Sequence, residues 1–187
     1  GPFSHAGLKA DFVISDDFNL MLSIMNDTDL TEFNPTNDYA IGSQIDYKGQ
    51  YLNFLVDPSF TEIDFTGGFD FSDSFFLGIN ANYLKLETNA GGFAGVALYP
   101  QYSISEAFTL GLRGEFFKEE GNFGAIGTGV DDSSVLGLTF TGSYSIENLI
   151  IKPEFRIDSA SDNAFLNNDL GPQRNLSSFI IASIYCF

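Results

Sequence analysis

Segments of about ten residues in which apolar and polar side chains alternate recur from one end of this chain to the other, and the connections between them are sorted by length. Successive side chains on an extended strand point to opposite faces, so a period of two marks a strand with one apolar and one wet face. Eleven segments read this way: 4–15, 18–25, 39–48, 51–56, 62–71, 75–84, 93–104, 108–117, 135–146, 149–157 and 179–187. Tight turns at 16–17, 49–50, 72–74, 105–107 and 147–148 alternate with longer links at 26–38, 57–61, 85–92, 118–134 and 158–178. The link at 57–61 is the shortest of its set. A membrane-spanning antiparallel barrel has short turns at one end and longer loops at the other. Greek-key crossings in a soluble sandwich would mix the two kinds. The expected fold is all-β, a single transmembrane up-and-down β-barrel domain over residues 1–187, without linker or helix.

The alternation also assigns faces. In 149–158, Leu149, Ile151, Pro153, Phe155 and Ile157 stand against Lys152, Glu154, Arg156 and Asp158. Four ionised groups on one strand face cannot enter an apolar core, since each unpaired buried charge costs several kcal/mol, so this face must meet water or partners. Pro153 removes a ladder donor, and a bulge or local break is expected there. The same rule places Lys9, Asp11, Gln44, Asp46, Lys48, Glu62, Asp64, Asp70, Asn80, Asn82, Arg113 and Glu115 on the polar face, with Thr139, Thr141, Ser143 and Ser145. The charged members make a mixed, mildly acidic lumen lining of eight acids and five bases. Even positions of 135–146, namely Leu136, Leu138, Phe140 and Tyr144, should face lipid. Arg113 and Glu115 are candidates to pair with the 152–158 row across a narrow bore.

Beside the tight turns stand Tyr47, Tyr51, Phe71, Phe75, Tyr102, Phe108, Tyr144, Tyr185 and Phe187, an aromatic girdle at one rim. The alternative is a set of rings capping a sandwich core. At the C-terminus, Phe179, Ile181, Tyr185 and Phe187 repeat at alternate positions, broken once by Ser183, which is how an outer-membrane strand presents itself to the barrel assembly machinery. A C-terminal edge strand of a soluble β protein would read the same over these nine residues. Twenty-one Phe and eight Tyr with no Trp leave the interface role to Phe and Tyr. No run approaches the ~18 apolar residues of a membrane helix. A single cysteine, Cys186, excludes an intramolecular disulfide, and a net charge of -17 with eight Lys and Arg argues against nucleic acid.

If the last strand ends on the periplasmic side, the tight turns lie there and the long links outside, and the segment at Ser4 starts from the external side. An odd strand number leaves at least one strand expected upstream, together with any export signal. Gly1-Pro2 could be a protease scar.

Gly1–Phe12 and Phe18–Leu30 resemble the middle of the OmpL-like outer-membrane β-barrel porins of Bacteroidota, and Tyr51–Phe54 and Ile150–Asp158 resemble that family's C-terminal half. Ser183 and Cys186 depart from the usual ending. The resemblance implies a passive barrel in the outer membrane of a Gram-negative bacterium, with no cofactor and no catalytic residue.

The residues offer little to catalysis. His5 is the only histidine and reads as a lumen-mouth residue, where a barrel protease or lipase would need it beside a carboxylate or serine. Asn26–Asp29 and Asp131-Asp132 lack the ligand spacing of a calcium loop, leaving only weak divalent binding. The glycine-rich stretch Gly121–Gly129 lacks the lysine and helix of a phosphate site. Two function classes remain. One is a diffusion pore with a charged wet lumen; the other is a non-conducting subunit of a larger envelope assembly, acting through its loops or lipid face. Expected partners are outer-membrane lipid and lipopolysaccharide, the assembly machinery, and other outer-membrane proteins or further copies of the chain.

Overall fold

A computed structural model describes residues 4–88 and 91–187. Gly1 to Phe3, within the first family-like stretch, and the tip of the 85–92 link lie outside the described residues. Eleven strands form one antiparallel sheet: β1 (Gly7–Ser15), β2 (Phe18–Asn26), β3 (Tyr39–Tyr47), β4 (Gln50–Val56), β5 (Phe60–Ser72), β6 (Phe75–Leu86), β7 (Gly92–Ser105), β8 (Phe108–Glu120), β9 (Ser134–Ile146), β10 (Leu149–Ala160) and β13 (Asn175–Tyr185). Each pairs with its neighbours in sequence, an up-and-down meander without crossovers. A small hairpin of β11 (Phe165–Leu166) and β12 (Pro172–Gln173) occupies the last link, where the sequence shows no alternation.

The turns explain the pairing. β3 and β4 are joined by Lys48 and Gly49, both at positive φ (52° and 76°), the geometry whose twist matches two antiparallel strands. Three other tight turns share one local sequence: Ser15-Asp-Asp-Phe18, Ser72-Asp-Ser-Phe75 and Ser105-Glu-Ala-Phe108. Each follows a register shift at 13/15, 70/72 or 103/105. In the second, the Ser72 hydroxyl accepts from the Ser74 and Phe75 amides at 3.3 and 3.1 Å; in the third, Ser105 accepts from Ala107 at 3.3 Å. The serine thus satisfies amides freed by the bulge, and a phenylalanine opens the next strand. By contrast, the link between β4 and β5 spans only 57–59, so the set opposite the tight turns is not uniformly long.

Among the described residues no second layer packs on the sheet. Its buried hydrophobic residues are Ala40, Leu84, Ala97 and Ala160, while many large apolar side chains of one face are exposed. On β9, Leu136, Leu138, Phe140 and Tyr144 are 57, 36, 50 and 47% exposed, whereas Thr139 on the opposite face is 4% exposed. This inverts what a water-facing sandwich requires. Pro100 and Pro153, both on the apolar face, interrupt the ladders toward β8 and β9 without changing register; the expected irregularity at Pro153 is a gap rather than a bulge. They line an apolar groove with Leu110, Leu112, Phe140 and Phe155. β13 departs from the two-face rule. Ile180 and Ala182 stand in register with Glu154 and Lys152, so both faces of this strand are apolar.

Candidate functional site

Directly opposed residues on neighbouring strands share a face, so register alone assembles the polar wall. β8, β9 and β10 align Glu115 with Gly137 and Asp158, Arg113 with Thr139 and Arg156, and place Thr141 opposite Glu154. These residues build a continuous charge ladder. Arg113 pairs with Glu115, Glu115 pairs with Arg156, and Arg156 holds Asp158 through two hydrogen bonds of 2.6 and 2.9 Å. Arg156 also reaches the Thr139 hydroxyl at 3.4 Å, and Thr141 donates to Glu154 at 3.1 Å.

The ladder depends on a glycine. Glu115 and Arg156 sit on strands separated by β9, and their side chains meet above Gly137. A Cβ on Gly137 would lie 2.7 Å from Glu115 Oε1 and 2.9 Å from Arg156 Nη2. Arg156 therefore finds its partner along the wall, one strand removed, rather than across a bore. Nothing in the alternation singled out Gly137, because the need for space there arises only when β8 and β10 flank it.

Beside the ladder, Arg113, Lys152 and Glu154 and the hydroxyls of Thr109, Thr141 and Ser143 line a polar recess of about 250 Å³. Arg113 lies 5.7 Å from the centre of the Tyr99 ring, and its buried Nε has no partner among the described residues. Lys152 makes no ion pair among the described residues. Both signs of charge and several hydroxyls thus face one small space.

Elsewhere the polar face is an amide and carboxylate ladder. Gln44 donates to Asn53 at 2.7 Å and Asn53 to Asp64; Asn19 donates to Asp46 at 3.1 Å and Asn82 to Glu62 at 2.5 Å. Lys9 and Asp11 pair at 3.3 Å on the exposed edge strand β1. Asp70 is on this face too, opposite Phe76 and exposed beside the bulge.

Two residues fall elsewhere than expected. Lys48 is not part of the wall: it is a turn residue held at positive φ, and its ammonium reaches Asp17 of the adjacent turn at 3.5 Å. Tyr51 is not in the girdle. It stands opposite Asp46 and Thr66, on the polar face, because opposed residues cannot point to different sides. Tyr47, Phe71, Phe75, Tyr102, Phe108 and Tyr144 lie on the apolar face near the tight turns, joined by Phe18 opposite Tyr47. Phe71 packs on Phe69 and Phe75 with ring centres 6.4 and 5.8 Å apart. Phe179, Ile181 and Tyr185 stand opposite Phe155, Pro153 and Leu149 on that face, and Phe187 follows the end of β13.

A meander of amphipathic strands with an ionised wall on one side and an aromatic-rimmed apolar wall on the other is the architecture of a porin barrel. The whole chain, residues 1–187, matches the family described as "Putative beta-barrel porin-2, OmpL-like". The chain belongs to the β-barrel porin-2 family. Among solved structures, this porin-2 chain is similar to the outer membrane channel DcaP of Acinetobacter baumannii, with 11% identity and a TM-score of 0.69, over 95% of this chain and 61% of that one. At that identity the likeness speaks for a shared fold, and the chain spans about three fifths of the channel's length. No curated protein matches the sequence.

At the end of the porin-2 sheet opposite the tight turns, one carboxylate ties two links together. Asp57, 2% exposed, accepts from the amide and hydroxyl of Thr28 at 3.0 and 2.7 Å, and from those of Ser59 at 2.9 and 2.6 Å. Burial by itself would raise its pKa, but these four donors outweigh it and hold the carboxyl at about 2. Asp27 beside it is shifted upward by burial and by the neighbouring Asp57. In the sequence this link stands out only by its shortness. The flanking Thr28 and Ser59 were the available signal, but their partnership crosses two strands. His5 precedes β1 and forms no ion pair among the described residues.

Proposed function

We propose that the chain forms the wall of a porin-like channel in the outer membrane of a Gram-negative bacterium, through which small hydrophilic solutes and ions diffuse passively. The carrying observation is the ladder of Arg113, Glu115, Arg156 and Asp158 beside the recess at Lys152 and Glu154. Charges aligned on one wall and balanced by one another create a transverse field in a wet lumen, and they do so without filling the space with apolar side chains. The similarity to an outer membrane channel supports the same reading. The polar wall carries the acids Asp11, Asp46, Glu62, Asp64, Asp70, Glu115, Glu119, Glu154 and Asp158, more than twice its bases Lys9, Arg113, Lys152 and Arg156. Cations are therefore the favoured ions.

β1 and β13 both run toward the tight-turn end and each pairs on one side only. Joining them directly would make a parallel seam, so antiparallel closure takes further strands of a longer barrel. The apolar face with Phe179, Ile181, Tyr185 and Phe187 meets outer-membrane lipid and serves the barrel assembly machinery; lipopolysaccharide surrounds the external rim, and other outer-membrane proteins or further copies of the chain pack against the lipid face. Conductance of the full-length protein in planar bilayers tests the function. Discrete ohmic channels are the expected result, and absence of any current would favour a non-conducting subunit of a larger assembly.

A further inference from the structure

The polar recess beside the charge ladder opens over a glycine. By register Gly111 of β8 lies opposite Gln101 of β7 and Thr141 of β9, and Thr141 lies opposite Glu154 of β10, so Gly111 forms the floor on the polar face. A Cβ added to Gly111 would come no nearer than 3.8 Å to its neighbours, an ordinary contact, and its φ is not left-handed. Neither packing nor backbone conformation calls for glycine there. A glycine inside a strand weakens the strand, and one that the fold does not require marks a place where another group approaches the backbone. Both ladder interruptions border the same spot. Pairing lapses between Leu98 and Gln101 of β7 on one side of the β8–β9 pair, and between Ile151 and Glu154 of β10 on the other.

Around this floor stand polar groups with bonding capacity left. Lys152 makes no ion pair among the described residues, and the buried Arg113 Nε has no partner among them. Thr109 and Ser143, opposite each other by register, form no side-chain hydrogen bond among the described residues. Glu154 accepts from Thr141 with Oε2, which leaves Oε1 available. Register orders these groups in three rows: Thr109, Ser143 and Lys152; then Gly111, Thr141 and Glu154; then Arg113. Lys152 and Glu154 lie two residues apart on one face of β10, about 7 Å between Cα atoms at the rise of a strand.

An ammonium and a carboxylate presented side by side, not paired with each other, are the complement of a molecule carrying the same two groups in reverse. A simple anion would satisfy Lys152 but face Glu154, and a simple cation would do the converse. A zwitterion satisfies both. With no net charge, it is not turned back by the acid-rich wall either.

We propose that the recess over Gly111 is a binding site for a zwitterionic solute of amino-acid size. Its carboxylate meets Lys152 and the hydroxyls of Thr109 and Ser143, its ammonium meets Glu154, and a polar side chain extends toward Arg113 Nε. The proposal rests on the channel reading above, in which this face meets a wet lumen, and names the class of solute that the lumen takes. A recess of about 250 Å³ admits such a molecule and holds it against one wall.

Saturation-transfer NMR on the full-length protein in detergent micelles reads binding without requiring conductance. The probe is L-glutamine, and acetate and ethylammonium each carry one of its charges. L-Glutamine should bind saturably, with acetate and ethylammonium about tenfold or more weaker. Gly111→Leu fills the floor and keeps every charge, so it should abolish binding. Lys152→Met changes a side chain without an ion pair, which keeps the test open should Gly111→Leu fail to fold, and it should weaken binding about tenfold or more. Glu154→Gln should let acetate bind as well as L-glutamine. Equal binding of acetate and L-glutamine to the parent would overturn the zwitterion site in favour of an anion site, and binding that survives both Gly111→Leu and Lys152→Met would overturn its placement. Bilayer conductance of the same preparations separates this inference from the channel reading. A parent that conducts but binds no L-glutamine loses the site and keeps the channel; one that binds it with these dependences but carries no current keeps the site and loses the channel; one that does neither loses both.

Discussion

Single residues carry the ladder and the loop latch. Gly137 is the clearance through which Glu115 meets Arg156, and both partners are mostly buried, at 19 and 27% side-chain exposure. Gly137→Val should separate them and lower stability by about 1–3 kcal/mol, because the displaced ions lose partners that water only partly replaces. Urea unfolding in lipid vesicles measures this, and an unchanged midpoint would mean that the pair forms without the clearance. Asp57 makes the second prediction. Its folded pKa of about 2 lies below the ordinary 3.8, so its contribution is fully present above pH ~4 and is lost as pH falls through the folded value. The depression corresponds to about 2–3 kcal/mol. Asp57→Ala should remove this acid-dependent part of the stability between pH ~4 and ~2 and expose the links at 27–38 and 57–59 to protease, whereas parent and variant with parallel pH profiles would argue against the latch.

At the scale of elements, β9 shows why the strands read so clearly. Its even residues are exposed on the apolar face and its odd residues lie on the polar one, so a charge placed at Phe140, midway along the strand, would have to enter hydrocarbon. Phe140→Arg should cost about 2–4 kcal/mol in folding into bilayers, and Leu136→Arg, nearer the strand end, less. Equal and negligible costs at both positions would mean that this face does not meet lipid. The tight turns work at the same scale. Ser72 and Ser105 bond the freed amides of their own turns while Phe75 and Phe108 supply the rim, so one local sequence ends a strand, shifts its register and anchors the next.

For the whole molecule, the excess of acid over base on the polar wall and a net charge of -17 set the field that an entering ion meets. In a salt gradient the reversal potential should indicate cation preference, and the preference should weaken as salt rises, because the Debye length shrinks from about 30 Å at 0.01 M to about 10 Å at 0.1 M. Anion preference would refute the charge argument. The same field acts on solutes in the recess, where Lys152, free of an ion pair among the described residues, stands near Glu154.

Strand identity, strand order and the facing of most wall residues were legible in the chain itself, since a period of two is a local property and the connections keep sequence neighbours adjacent. Leu138 against Thr139, or Phe155 against Arg156, needs no tertiary knowledge. Tyr51 and Lys48 escape that logic: nearness to a turn does not put Tyr51 on the rim, and alternation does not carry past the strand end to Lys48, because cross-strand register and turn dihedrals decide the two positions. The remaining features depend on residues brought together across strands. Gly137 matters only between Glu115 and Arg156, and Asp57 only once Thr28 is beside it. Alternation determines which side of a strand a residue faces; which residue faces it in turn is a matter of pairing and register, and only the folded sheet supplies that.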